Sequence, residues 1–408
     1  MERLNQICVE RDAQKVSAAL RGLVDEMLKD GSVGPLKEWI QKVVSDDVPQ
    51  QASIPALQHL SSSLSELRRS TEQGTLPGTF PEVANFALRA IQQHPTAGHD
   101  ESDFILRHDV LFEHYVSEQD FKSAAEILSK LSMENTTKKY SIDTKADVYI
   151  KVAEAFLLDD SADQAEIFVT KASVLMNDVT SLMIQMRYKT KHAQVLDANR
   201  KFVEAAMRFF ELSITPSEKV ELLQIQEQNL LDLLGMAVTC AVLGKAGPQR
   251  SRVLGVLYKD DRLNQLALMP KYASHASILT KMYTEQLVHR DEMAVFEQSL
   301  QPHQKALTAD GYTFPEKAVI EHNMLAAGRL YDNIHFRELG SLLRLDAAKA
   351  ETVAAKMIVE DRLKATIDQT DGTLIFLSDD DALLSWDARI RDVCTELVET
   401  VQIVQSKG

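Results

Sequence analysis

Eleven histidines and three cysteines are the residues of this 408-residue chain best suited to hold a metal or to act as nucleophiles. Their spacing supports neither role. No two histidines stand two positions apart, so the His-x-His pair of one class of zinc hydrolase is missing, and no His-Glu-x-x-His run occurs. Cys8, Cys240 and Cys394 are far apart in the chain, which suggests neither a disulfide framework nor a zinc site and fits a reducing compartment. There is no Gly-x-Ser-x-Gly elbow for a serine nucleophile and no glycine-rich loop closed by Gly-Lys-Ser/Thr to cradle a phosphate. His322 and Asn323 fall in the middle of an apolar-periodic helix and read as a packed polar pair rather than as ligands. The expectation is a chain with no catalytic residue, no cofactor and no metal.

Charge narrows the choice of partner. Lys and Arg number 45 against 60 Asp and Glu, a net charge of −15 that repels a phosphate backbone. One local basic group, Arg250, Arg252, Lys259 and Arg262, surrounds a helix start. It reads either as a solvated face or as an interface for an acidic neighbouring protein. The first residues are charged throughout, unlike a signal peptide, and no run reaches the ~18 apolar residues of a membrane span. A soluble chain of the cytoplasm or the nucleus is expected.

With 15 glycines and 11 prolines in 408 residues, long helices are favoured over many short strands. Residues 1–100 read as an N-terminal helical arm, with turn formers gathered over Ser70–Pro81 and Ser61–Phe80 read as a loop. Residues 101–300 carry a repeat: first helices over Phe104–Val116, Thr144–Leu158 and Leu182–Leu196 each precede a tight turn and a second helix opening at Phe121, Ala162 and Phe202. The step of about forty residues is that of helix-pair solenoids of the tetratricopeptide or HEAT kind, right-handed in their winding. Ala125, Ala165 and Ala206 would let paired helices approach closely. A less regular fourth pair uses Lys219–Leu243 and Gln249–Tyr258.

Residues 301–378 read as a winged helix. A helix from Glu316 to Tyr331 is followed by an extended Asn333–Phe336, two more helical runs with Asp346 as a cap, and a hairpin turning at Asp371-Gly372. Thr373, Leu374, Ile375 and Phe376 form its last strand. If that strand is the exposed edge of the wing, its backbone can receive a strand from another protein; the alternative is that it only closes the winged helix. Residues 379–408 read as one helix of roughly 26 residues, about 39 Å long. Leu383, Trp386, Ile390, Val393, Leu397, Val401 and Val404 recur on it every three or four residues. So long a seam exceeds what a small winged helix can cover, and helices of other chains are expected to cover its distal part.

Helical pairs ending in a winged helix resemble the PCI domain, a module of the proteasome lid, the COP9 signalosome and a translation initiation factor complex. The stretches KVAEAFLLDDSADQAEIFVTKAS (151–173), RKFVEAAMRFFELS (200–213), GPQRSRVLGVLYKDDR (247–262) and PHQKALTADGYTFPEKAVIEHNMLAAGRLYDNIHFRELGSLL (302–343) are most similar to the signalosome branch. The resemblance spans roughly Lys139 to Gln405 and fades before Asp100. It implies a non-catalytic scaffold that joins other PCI subunits and MPN subunits in the complex that removes Nedd8 from cullins. Winged helices would meet by their sheet edges, C-terminal helices would gather in a bundle, and the N-terminal arm would reach toward a bound cullin–RING ligase. A subunit of the proteasome lid and a winged-helix nucleic-acid binder are the alternatives. Against the latter, Lys349 and Lys356 on the third winged-helix helix, Asp346–Asp361, face a surplus of Asp346, Glu351, Glu360 and Asp361.

Overall fold

A computed structural model describes residues 13–30, 33–45, 48–70, 80–94, 98–131, 140–216, 226–308, 310–377, 386, 389–395 and 397. The chain divides into two compact units, Met1–Val195 and Leu196–Gly408. Helices of the first are α1 (Ala13–Asp30), α2 (Val33–Val44), α3 (Gln50–Ser70), α4 (Phe80–Gln93), α5 (Asp100–Phe104), α6 (Glu113–Ser117), α7 (Phe121–Ser129), α8 (Ile142–Leu158) and α9 (Ala162–Leu175). A π-helical segment, Ile105–Phe112, joins α5 to α6, and α10 (Leu182–Ala198) contains the division between units.

One apolar core runs from Val16 to Leu111 and a second from Phe112 to Val195. The loop reading of Ser61–Phe80 is corrected over its first half, where α3 continues to Ser70. Most of the turn-rich Ser70–Pro81, residues 71–79, lies outside the described residues, and α4 begins at Phe80. Leu57, Leu60 and Leu64 keep the buried stripe going, while Ser61 donates its hydroxyl back to the Gln58 carbonyl at 2.9 Å.

The repeat shows clearly in the backbone. Phe121, Ala162 and Phe202 each open the second helix of a pair, 162 − 121 = 41 and 202 − 162 = 40 residues apart. The preceding turns hold Gln119, Asp160 and Arg200 in the left-handed region, at φ 62°, 57° and 63°. In each turn the next amide reaches back five residues at 2.9 Å, Asp120 to Tyr115, Ser161 to Phe156 and Lys201 to Leu196, which ends the helix in a Schellman motif. Ala125, Ala165 and Ala206 are all fully buried, as close helix approach requires. Asp tolerates the left-handed region and a β-branched residue does not. Asp160→Val should therefore lower stability by roughly 1 kcal/mol, whereas Asp160→Gly should not lower it; urea unfolding of both variants checks this.

The second unit continues with α11 (Phe202–Ser213), α12 (Glu227–Leu243), α13 (Pro248–Tyr258), α14 (Leu263–Ala267), α15 (Ala273–Tyr283), α16 (Arg290–Gln298) and a 3-10 turn, Pro302–Lys305. Next comes the winged-helix order: α17 (Phe314–Leu330), β1 (Asn333–His335), α18 (Phe336–Leu343), α19 (Ala347–Val359), β2 (Ala365–Asp368) and β3 (Thr373–Phe376). The first winged-helix helix starts two residues before Glu316 because Thr313 and Glu316 form a reciprocal capping box with each other's backbone amides. Asp346 occupies the N-cap of α19 without a side-chain cap bond. Gly340 permits the tight α18–α19 turn, since a Cβ there would lie 2.6 Å from the Leu345 carbonyl oxygen. Gly372, at φ 61°, supplies the left-handed residue of the hairpin.

Candidate interaction surfaces

The three strands are ordered β1-β3-β2, all antiparallel. This corrects the edge reading of Thr373–Phe376, because β3 is the central strand. Its residues pair with Asn333–His335 on one side and Ala365–Asp368 on the other, so its backbone groups are already used. Leu374 is fully buried in the winged-helix core. Phe376 packs so closely on α17 that a Cβ on Gly328 would sit 2.8 Å from its ring. Thr373 is half-buried, leaving Ile375, 39 % exposed, as the outward apolar residue of the strand. The unpaired flanks of the sheet belong to β1 and β2.

Beyond the sheet, residues 386, 389–395 and 397 are helical. Trp386, Ile390, Val393 and Leu397 are between 53 and 63 % exposed. At about 100° per residue, steps of four, three and four place all four within a stripe of about 60°. Exposed single apolar residues are ordinary, but four aligned on one helix face form a patch that calls for a cover. Leu383, Val401 and Val404 lie outside the described residues.

Arg250 is not available to a partner, which corrects its assignment to the basic surface group. It is 2 % exposed and donates to the Gly244 carbonyl at 3.2 Å and to Nδ1 of His322 at 3.3 Å. Arg252, two residues on, is exposed. A two-residue step turns the helix by about 200°, so the neighbours point opposite ways. Next to Arg250 lies a buried ion pair. Glu321, 2 % exposed, accepts from Arg362 at 2.5 and 3.1 Å and from the Ala246 amide at 3.1 Å, while Arg362 also donates to the Ala246 carbonyl at 3.0 Å. Burial works against the Arg362 charge, and the Glu321 hydrogen bond and charge more than offset it, so its pKa is raised overall. Sequence reasoning missed this pair. The one available signal was Glu321 on the apolar side of a helix.

His322 and Asn323 are the packed polar pair expected. The Asn323 side chain accepts from the Val288 amide at 2.9 Å and donates to its carbonyl at 3.0 Å. The His322 tautomer follows from its neighbours. Nε2 donates to the Gln286 carbonyl at 2.8 Å, so Nδ1 is the acceptor for Arg250. Burial first, then the Arg250 charge, lowers its pKa to about 4. His275 is also buried. Thr239 spends its proton on the Gly235 carbonyl, so Nε2 of His275 donates to that hydroxyl and Nδ1 is left without a partner among the described residues. Burial lowers this pKa to about 4 as well.

Both imidazoles are thus neutral in the fold, while in the unfolded chain they bind a proton below about 6.5. Unfolding takes up protons between those values, so stability is complete above pH 6.5 and is lost as pH falls toward 4. The expected loss is about 2–3 kcal/mol per histidine, read from urea unfolding between pH 7 and pH 4. A flat profile through pH 5 would mean that the fold does not hold these two imidazoles neutral.

The lysines of α19 are engaged with carboxylates: Lys356 with Asp310 at 3.2 Å and Lys349 with Asp346 at 4.0 Å. That leaves the winged helix poorly suited to read phosphates. Among the described residues no cluster of three His, Cys, Asp or Glu is placed to hold a metal, and no helix is long and apolar enough to cross a membrane.

Two family profiles match the chain, the PCI domain over residues 273–378 and the PSMD12/CSN4 N-terminal region over residues 5–220. The chain is 36 % identical over 386 residues to COP9 signalosome complex subunit 4 of Arabidopsis thaliana, covering 95 % of this chain and 93 % of that one. It is 34 % identical to the protein of that name in Drosophila melanogaster, over 91 % of this chain and 86 % of the other. With the Dictyostelium discoideum protein it shares 32 % identity over 94 % and 91 % of the two chains.

Proposed function

The chain belongs to the COP9 signalosome subunit 4 family, and on that premise we propose that it is a non-catalytic assembly subunit of the signalosome, the complex that removes Nedd8 from cullins. Its partners in this reading are the other PCI subunits and the MPN subunits, with a cullin–RING ligase as the substrate of the whole, in the cytoplasm and nucleus. The observation that carries the reading is the bare apolar stripe of Trp386, Ile390, Val393 and Leu397. A helix with such a face is stabilised by packing on other helices, not by solvent. The open flanks β1 and β2 offer a second mode of attachment through backbone hydrogen bonds.

The N-terminal helices are proposed to lie toward the cullin–RING substrate. Their core extends to Leu111, so deleting residues 1–100 would uncover Leu106, Val110 and Leu111 and disturb more than an arm. Hydrogen exchange avoids that problem. In the assembled complex, α1–α4 should gain protection when neddylated cullin–RING ligase is added, and unchanged exchange there would remove the arm from the substrate path. The isolated chain should not cleave a Nedd8–cullin conjugate with or without added zinc. Chelator-sensitive cleavage by the isolated chain would overturn the proposal.

A further inference from the structure

In the second unit a groove of about 720 Å³ opens where the N-terminal ends of α11, α13 and α17 converge. That size lies within the range of ligand-binding clefts, ~300–1,000 Å³. Its floor is partly apolar. Phe202 and Phe314 meet edge to face at 5.3 Å, and Phe314, half-buried, carries the Arg200 guanidinium over its ring at 5.1 Å. Its rim is cationic: Arg200, Lys201, Lys245, Arg252 and Lys317 come from separate stretches of sequence. The whole lining holds seven Arg or Lys and four Asp or Glu. Arg250 is buried, however, Arg362 is bonded to two of the carboxylates, Glu321 and Glu360, and Lys317 pairs with Asp310. The balance is Arg200, Lys201, Lys245 and Arg252 against Glu204 and Asp361, an excess of 4 − 2 = 2 positive charges in a chain whose net charge is −15.

One helix end here runs against ordinary capping chemistry, and a second lacks a side-chain cap. Lys201 stands at the N-cap of α11 and Gly247 at that of α13, and neither helix has a side-chain cap. A lysine adds positive charge where the helix dipole is already positive, a position that favours Asp, Ser or Thr. A carboxylate from outside would satisfy uncapped amides and oppose that charge at once. We infer that this groove receives an acidic peptide segment of another protein, its carboxylates against Arg252, Lys245 and Arg200 and its apolar side chains against Phe314. A long polyanion fits less well, because the surrounding chain is acidic and Glu204 and Asp361 remain on the rim. The inference stands apart from the assembly reading, since neither the C-terminal stripe nor the sheet edges take part in it.

The test uses the full chain and a fluorescein-labelled eight-residue peptide alternating Glu and Leu, with a Gln–Leu twin as control, by fluorescence anisotropy at low ionic strength. Lys245 and Arg252 are exposed, so Lys245→Glu with Arg252→Glu should fold; Lys245→Gln with Arg252→Gln serves if reversed charge disturbs the melt. The Glu–Leu peptide should bind the parent at least tenfold tighter than it binds either double variant, and tenfold tighter than the twin binds the parent. Equal affinity across parent and variants, equal affinity for the twin, or no saturation below millimolar peptide would each overturn the inference. A generic DNA duplex that displaces the peptide from the parent at lower concentration would transfer the groove to nucleic acid and overturn it too.

Discussion

A chain carrying Trp386→Glu and Leu397→Glu should melt like its parent and fail to co-elute with the signalosome. Both residues are more than half exposed, so the substitutions remove no contact that the isolated fold depends on. In an assembly the same residues would be covered. Burying a large apolar side chain contributes about 1.5–3 kcal/mol, so losing two removes roughly 4 kcal/mol, about a thousandfold in affinity. Two carboxylates forced into an apolar contact add a further penalty. Size exclusion and native mass measurement of tagged complex read the result. Retention of the double variant at the parent's level would show that attachment lies elsewhere, with the β1 and β2 flanks next to be tested.

The second large effect is expected inside the fold. Arg362→Leu should destabilise the second unit by about 3–5 kcal/mol, because it leaves the Glu321 carboxylate buried without its counter-charge and the Ala246 carbonyl without a donor. For a unit of this size that corresponds to a fall in melting temperature of about 10 °C. The pair also fixes geometry: Glu321 lies on α17, Arg362 follows α19, and both hold the backbone of Ala246 at the turn between α12 and α13. Combining Arg362→Leu with Glu321→Gln should recover much of the loss, since the stranded charge is gone. A single variant within 1 kcal/mol of the parent would mean that the carboxylate finds water or another donor.

What could be read from the residues alone depended on how local the cause was. The hairpin turning at Asp371-Gly372 needs only its own few residues, and its last strand starts at Thr373 as expected. The forty-residue step of the repeats is likewise written in the spacing of Phe121, Ala162 and Phe202. Strand order was not legible, because β1 is only three residues long and pairs with a strand about forty residues away. Arg250 misled because adjacency in sequence was taken for adjacency on a surface. The partners of Glu321 at Arg362 and Ala246 are 41 and 75 residues distant, and no helical or strand periodicity announces such a meeting. The stripe of Trp386 to Leu397 was visible for the opposite reason, since a helix face depends on spacing alone.

The bare stripe has a cost when supply and demand within the cell differ. A copy made in excess of its partners keeps four aligned apolar side chains in water, the same signal by which chaperones and proteases recognise unfinished proteins. The abundance of this chain should therefore track that of its assembly mates even when its own messenger is plentiful, with surplus copies cleared or clumped through the surface that assembly would have hidden.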